Sequence, residues 1–208
     1  MAVWSVTSAP ASEPLTMAEV KNYLRIASAV TADDAHVTAM IIEAREYVER
    51  VTGRALITQT ITEYFDSFPV LGSTGLASRV IPLYVAPLIS ITEATGISYI
   101  PQNGTPASYT AWDNTGNSKY FLDIVSGGRG IGPSRICKKD GIEWPTIQPY
   151  TNAVKVVYVA VYGASAANVP GPIKRAMYKL IGQWYYNPEN TDDFELVEDL
   201  LNPYKIHK

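Results

Sequence analysis

The sequence predicts an α+β protein: a helical bundle built from the N- and C-terminal segments, with an antiparallel β-sheet or small sandwich inserted between them. Three observations carry this. Apolar residues recur at three- and four-residue steps up to Gly53 and again after Pro172. Between 57 and 162 the chain turns to short runs rich in β-branched and aromatic residues, broken by Gly, Pro and Asn. The intervals between these runs are too short for crossover helices, which requires antiparallel pairing.

The first helix opens at Leu15-Thr16-Met17-Ala18-Glu19-Val20. Thr16 caps it and Glu19 reaches back, forming a capping box, while Leu15 and Val20 occupy the two positions of a hydrophobic staple. Met17, Val20 and Leu24 then line one face, and the helix is expected to run to about Ile26. After the polar break from Ser28 to Thr31 a second helix is predicted, with Val37, Met40, Ile41, Ala44, Tyr47, Val48 and Val51 at helical spacing and Gly53 as its C-cap.

Strands are expected over residues 57–65, 79–83, 89–95, 108–112, 120–124 and 154–162. The last, Val-Lys-Val-Val-Tyr-Val-Ala-Val-Tyr, carries the strongest signal. Pro101-Gln102-Asn103-Gly104 and Asn114-Thr115-Gly116-Asn117 read as turns. A third helix follows Pro170 and Pro172, with Ile173, Ala176, Met177, Leu180, Ile181 and Trp184 on one face, and Asn187-Pro188 stops it. A last short helix starts near Asp192 and carries Phe194, Val197, Leu200 and Leu201 until Pro203. The resulting division is an N-terminal arm at 1–14, a helical core from 15–56 and 166–202, a β-rich insertion at 57–165 and a C-terminal arm at 203–208.

Bulk properties exclude several classes. At 208 residues the chain buries about 70% of its unfolded surface, so a core needs no covalent staples. Seventeen Lys+Arg against twenty Asp+Glu give a net charge of -3, which provides no general attraction to nucleic acid or anionic membrane. Cys137 is the single cysteine, so no intrachain disulfide and no cysteine-based zinc site is expected. The start, MAVWSVTSAPASEPL, lacks the basic and apolar stretches of a signal peptide, and no apolar run reaches membrane-spanning length.

No constellation for chemistry stands out, and neither a catalytic site, a metal nor a cofactor is expected. His36 and His207 have no cysteine or carboxylate at metal-ligand spacing, Asp33 and Asp34 being helix-start acids. The loop Ser126-Gly127-Gly128-Arg129-Gly130-Ile131-Gly132 lacks the Lys-Ser/Thr ending of a P-loop and leads into no helix. Gly-x-Ser-x-Gly is absent. Asp66, Asp113, Asp123 and Glu143 are acids of the β region whose ordinary role is as solvated strand ends; a hydrolase would need two of them at a defined separation. Tyr99, Tyr109, Trp112 and Trp144 form the aromatic set on which a β-rich carbohydrate- or host-surface-binding module would rest. On the third helix Lys174, Arg175 and Lys179 share the polar side, and Tyr186 falls off the apolar stripe; these are the candidate subunit or partner contacts.

The order of the helical motifs resembles the head-tail connector (adaptor) proteins of long-tailed bacteriophages and related gene transfer agents. The opening is Pro14-Leu15-Thr16-Met17-Ala18-Glu19-Val20-Lys21-Asn22-Tyr23-Leu24-Arg25-Ile26. Asp33-Asp34, Ile41-Ile42-Glu43-Ala44-Arg45-Glu46-Tyr47-Val48-Glu49 and Thr52-Gly53-Arg54-Ala55-Leu56 continue it. After the β region come Val169-Pro170, Ile173-Lys174, Gln183-Trp184-Tyr185-Tyr186-Asn187 and the close Leu200-Leu201-Asn202-Pro203-Tyr204-Lys205. The family pattern commonly ends in Pro-Tyr-Arg; Lys205 keeps the charge and loses the bidentate fork.

The resemblance implies a non-enzymatic ring beneath the portal at the head-tail junction of a virion, assembled in the host cytoplasm. The helical core forms the ring, of about twelve-fold symmetry to match the portal. Its implied partners are the portal protein, other copies of itself and the next neck, stopper or tail-completion protein. Packaged DNA passes through without sequence-specific binding, and no membrane is involved. Portal attachment is implied for Leu200, Leu201, Pro203, Tyr204 and Lys205.

Overall fold

A computed structural model describes residues 3–69, 79–92, 95–106, 110–112, 119–124, 132–163, 165–189 and 195–206. They divide into two compact units, one joining residues up to Ala9 with Gln59–Ala160, the other joining Pro10–Thr58 with Val161–Ile206.

The first unit is built on strands. β1 (Val3–Ser8) pairs antiparallel with β2 (Gln59–Phe65), from Val3 opposite Tyr64 to Ser8 opposite Thr60, with a bulge between Val6 and Ser8. On its other side β2 runs antiparallel to β9 (Val154–Ala160) over its full length, Gln59 facing Ala160 and Phe65 facing Val154. In β9 Val154, Val156, Tyr158 and Ala160 are buried while the residues between them are half-buried, the period of two that a pleated strand imposes. Its far side is shared by β4 (Leu88–Ile91) and β5 (Ile97–Tyr99), and β6 (Thr110–Ala111) continues from β5. A second sheet places β8 (Arg135–Lys138) between β3 (Val80–Pro82) and β7 (Tyr120–Asp123). Glu63, fully buried on β2, accepts hydrogen bonds from the Tyr158 hydroxyl and from the Tyr84 N–H at 2.8 Å, so a buried carboxylate ties β9 to the 84–85 turn. Desolvation, with the Glu63 charge second, holds the Tyr158 phenol well above its ordinary pKa.

The second unit is helical: α1 (Met17–Tyr23), α2 (Asp34–Thr52), α3 (Gly171–Tyr186) and α4 (Glu195–Leu201). The capping box forms, Thr16 Oγ1 accepting from the Glu19 N–H and Glu19 Oε2 accepting from the Thr16 N–H at 2.7 Å. Gly53 ends α2 in the left-handed region, φ 70°, where a Cβ would be strained. The apolar stripes meet in one core, with Val20, Leu24, Val37, Ile41, Ala44, Val48, Ile173, Met177, Leu180, Ile181, Val197 and Leu201 all buried. Each fully buried aliphatic side chain there contributes about 1.5–3 kcal/mol. Arg45 is nearly buried as well, with Nε 2.9 Å from Glu13 and Nη1 2.8 Å from Glu49; burial works against its charge, but the two carboxylates outweigh it and raise its pKa.

A helical bundle with an inserted sheet is therefore not the architecture. Among the described residues nine strands in two antiparallel sheets outnumber four α-helices, and the larger sheet is not confined to the middle of the chain. Val3-Trp4-Ser5-Val6-Thr7-Ser8, expected to be an arm, forms a six-residue strand because its β-branched and aromatic residues meet the complementary edge of β2. Such pairing across more than fifty positions leaves no local periodicity for a sequence reading to find. β5 and β8 are new too, each too short to carry a signal alone. The expected turn at 114–117, most of the loop at 126–132, and Tyr109, Asp113, Asp192, Phe194 and His207 lie outside the described residues.

Candidate partner-binding groove

The helical unit carries an open groove of about 460 Å³ where the end of α1, the outer face of α3 and the start of α4 come together. Its first wall exists because α1 stops without glycine. The Ile26 N–H donates to the Lys21 carbonyl and the Arg25 N–H to that of Asn22, the two bonds of a Schellman ending. Arg25 occupies the left-handed position of this motif, φ 56°. For a residue with a Cβ that conformation costs about 1 kcal/mol or more. The turn aims Arg25 into the groove beside Tyr23.

The floor is set by Gly182 on α3. A Cβ there would lie 3.0 Å from Tyr23 Cε1, so its absence lets the tyrosine ring lie across the helix, 5.0 Å from the Tyr178 ring. Lys179, Gln183 and Tyr186 line the same face at helical spacing. Tyr186 donates its hydroxyl to the Leu24 carbonyl, which pins its ring while leaving it 60% exposed. From α4 come Leu196, 49% exposed, and Val197. Tyr23 is 47% exposed, so three large apolar bodies face solvent within one concavity.

Several cations of the chain are paired with acids. Lys21 pairs with Asp34, Arg79 with Asp140, Lys138 with Glu143 and Lys205 with Glu198, all within 4 Å. Arg25 and Lys179 have no carboxylate partner among the described residues, and no acid lines the groove.

Of the candidate contacts on α3, Lys179 and Tyr186 fall in the groove. Lys174 lies toward Glu19, whose pKa is lowered mainly by its hydrogen bonds from Thr16 and slightly by that lysine; Arg175 is exposed one turn before Lys179. At the chain's end Leu201 is buried in the core and Leu200 packs against it. Pro203 is exposed, Tyr204 and Lys205 half-buried. The Arg54 guanidinium donates to the Tyr204 carbonyl at 2.6 Å and the Ile206 N–H to the Thr52 carbonyl at 3.0 Å, so the segment is laid along its own unit.

In the β unit the aromatic set is largely consumed by packing. Trp144 stacks on Phe68 at 4.9 Å and Trp112 lies 4.7 Å from Trp144, both tryptophans being buried. They act as core rather than as an open sugar platform. Asp66 accepts the Asn152 N–H and Glu143 pairs with Lys138 at 3.2 Å. Among the described residues no group of three potential metal ligands gathers, and no described helix is long and apolar enough to cross a membrane.

Sequence reasoning missed Tyr23, Arg25, Gly182 and Leu196. Gly182, a lone glycine inside a helical pattern, was the available signal.

Comparison with protein-family descriptions and with curated proteins finds no match. Comparison with solved structures does. The chain has the fold of a gene transfer agent neck chain. The match to a chain in the neck of an empty gene transfer agent particle, computed with C6 symmetry, has a TM-score of 0.73 at 19% identity, covering 99% of this chain and 96% of that one. Chains in the virion of a native particle and in its neck computed with C12 symmetry match at a TM-score of 0.68, with the same identity and coverage. The correspondence takes in both units.

Proposed function

We propose that this chain is a structural head-tail adaptor: a homo-oligomeric ring beneath the portal that extends the DNA channel and offers a docking surface to the next neck or tail protein. The observation that carries the reading is the end-to-end likeness in fold to chains of gene transfer agent necks. A ring of one chain needs two different complementary surfaces on each copy, which a two-unit protein supplies readily.

Portal attachment is assigned to the C-terminal segment. Leu200 and Leu201 anchor it to the core, and Pro203, Tyr204 and Lys205 present a stiff, aromatic and basic contact. Lys174, Arg175, Lys179 and Tyr186 are assigned to a neighbouring copy or neck protein. The role calls for no catalytic group, and the DNA passing through is held by no sequence-specific contact.

The test is native mass measurement of the full chain alone and with its cognate portal. A ring bound to the portal is expected, with the complex weakened at least tenfold by Tyr204→Ala combined with Lys205→Glu. A wild-type chain that stays monomeric and unbound beside assembled portal refutes the adaptor role. Unchanged affinity in the double variant refutes the C-terminal assignment alone.

A further inference from the structure

We propose that the groove between α1, α3 and α4 is a receptor for an acidic, extended peptide segment of another protein. Arg25 and Lys179 take its carboxylates, and Tyr23, Tyr186 and Leu196 take an adjoining aliphatic or aromatic side chain. The inference gives a chemistry to the docking surface of the adaptor reading, and rests on that reading only for where such a partner is met.

Three independent observations converge. The first is conformational. Arg25 stands where a Schellman ending favours glycine, and it keeps a long cationic side chain in a left-handed backbone. A strained residue aimed into a concavity is where binding function concentrates. The second is electrostatic. Arg25 and Lys179 share a groove that no acid lines, leaving room for an acid from outside. The third is shape. A volume of about 460 Å³ falls within the range of specific ligand sites. Its walls are helical, so recognition comes from side chains and not from strand addition.

Charge decides between an acidic peptide and a nucleic acid. Two cations provide at most two phosphate contacts, and a polyanion gains affinity only by accumulating many. Exposed Glu195, Glu198 and Asp199 adjoin the α4 residues that line the groove, and they repel a continuous phosphodiester chain. A short segment with only one or two carboxylates around an apolar residue meets far less of that repulsion than a chain charged at every residue. Tyr23 and Tyr186, rigid and amphipathic, are the side chains that serve such anchors.

The experiment uses the full-length protein and fluorescein-labelled nonapeptides, each carrying two Asp or Glu around one Leu, Phe or Tyr. Controls are the same peptides with Asn and Gln in place of the acids, inorganic phosphate and oligothymidine. Saturable anisotropy changes are expected with a subset of the acidic peptides. They should weaken at least tenfold with the Asn/Gln versions, with Lys179→Ala and with Arg25→Gly. Arg25→Gly removes the backbone strain together with the charge, so it should melt no lower than the wild type while losing the peptide; a loss of binding therefore cannot be blamed on unfolding. The proposal is overturned if no acidic peptide binds, if binding survives both substitutions, or if oligothymidine or phosphate competes equally. It is also overturned if the two substitutions only block self-assembly, which would make the groove a contact between copies. Variants that still assemble on the portal but lose the peptide leave the adaptor reading intact. A wild type that binds peptide but never associates with portal refutes that reading without touching the groove.

Discussion

Replacing Arg54 with methionine tests how the C-terminal segment is held. Arg54 is 1% exposed; its Nε donates to the Tyr204 carbonyl at 2.6 Å and its guanidinium carbon lies 5.5 Å from the centre of the Tyr162 ring. A hydrogen bond from a charged donor contributes about 1.5–3 kcal/mol, and a desolvated cation over an aromatic face about 2 kcal/mol. Against these stands the desolvation of the guanidinium, several kcal/mol in a buried site and the main reason its pKa is lowered from the ordinary arginine value. Methionine keeps most of the stem's packing and removes the charge, so gain and loss partly cancel. The expected net destabilisation of Arg54→Met is about 1–3 kcal/mol. Arg54→Ala also leaves a cavity, a further cost of about 2–5 kcal/mol. Urea midpoints give the global figure, and amide hydrogen exchange at Ile206, whose N–H donates to the Thr52 carbonyl, gives the local one. Faster exchange at Ile206 in Arg54→Met is expected. An unchanged midpoint with unchanged Ile206 protection would refute the reasoning. A methionine variant more stable than wild type would show that desolvation outweighs both contacts.

Two other outcomes follow from the α1 region. Glu19 is held below its ordinary pKa of 4.5, first by the hydrogen bond from the Thr16 backbone and then by that from its hydroxyl. A depressed folded-state pKa gives stability that is present above the unfolded value and lost as pH falls through the folded one. Glu19→Ala is thus expected to melt below wild type at neutral pH, with the two curves converging in acid well under 4.5; a constant gap would contradict this. Gly182→Ala gains helix propensity of about 1 kcal/mol but puts a Cβ 3.0 Å from Tyr23 Cε1. Its melting temperature should hold or rise while the affinity of acidic peptides falls, read by calorimetry and anisotropy; a lowered melting temperature would mean that Tyr23 cannot move aside.

What the sequence revealed was decided by distance along the chain. α2 and α3 were legible because their apolar stripes repeat within one segment and Gly53 marks a left-handed end that favours glycine. The capping box at Thr16 and Glu19 is a four-residue pattern and could be read directly. β1 was not legible, since six residues exposed along their whole length become a strand only through β2. Trp112 and Trp144 look like ligand contacts until Phe68 is seen stacked on Trp144 and packed at an angle against Trp112. In the groove, Lys179 and Tyr186 were found from their helical positions, but Arg25 was not. A left-handed arginine is invisible where the rule seeks glycine, and its nearness to Leu196 belongs to the tertiary fold.

The pairing of Gln59 with Ala160 carries a consequence for how such a chain can change. The stretch from 59 to 160 departs and returns at adjacent rungs of one ladder, where opposed Cα atoms lie about 4.5–5.5 Å apart. A tight turn of a few residues bridges that gap. Everything between those rungs can be lengthened, trimmed or exchanged without moving the two points at which the helical unit's chain is interrupted. β1 is the exception, because it reaches the same ladder from the opposite end of the polypeptide. Any transplanted sheet must offer Val3–Ser8 an equivalent edge, or leave that segment's backbone hydrogen bonds without their ladder partners. That thread makes the β unit conditional on the first residues of the chain, and it marks the N-terminus as the place where an otherwise exchangeable module is locked.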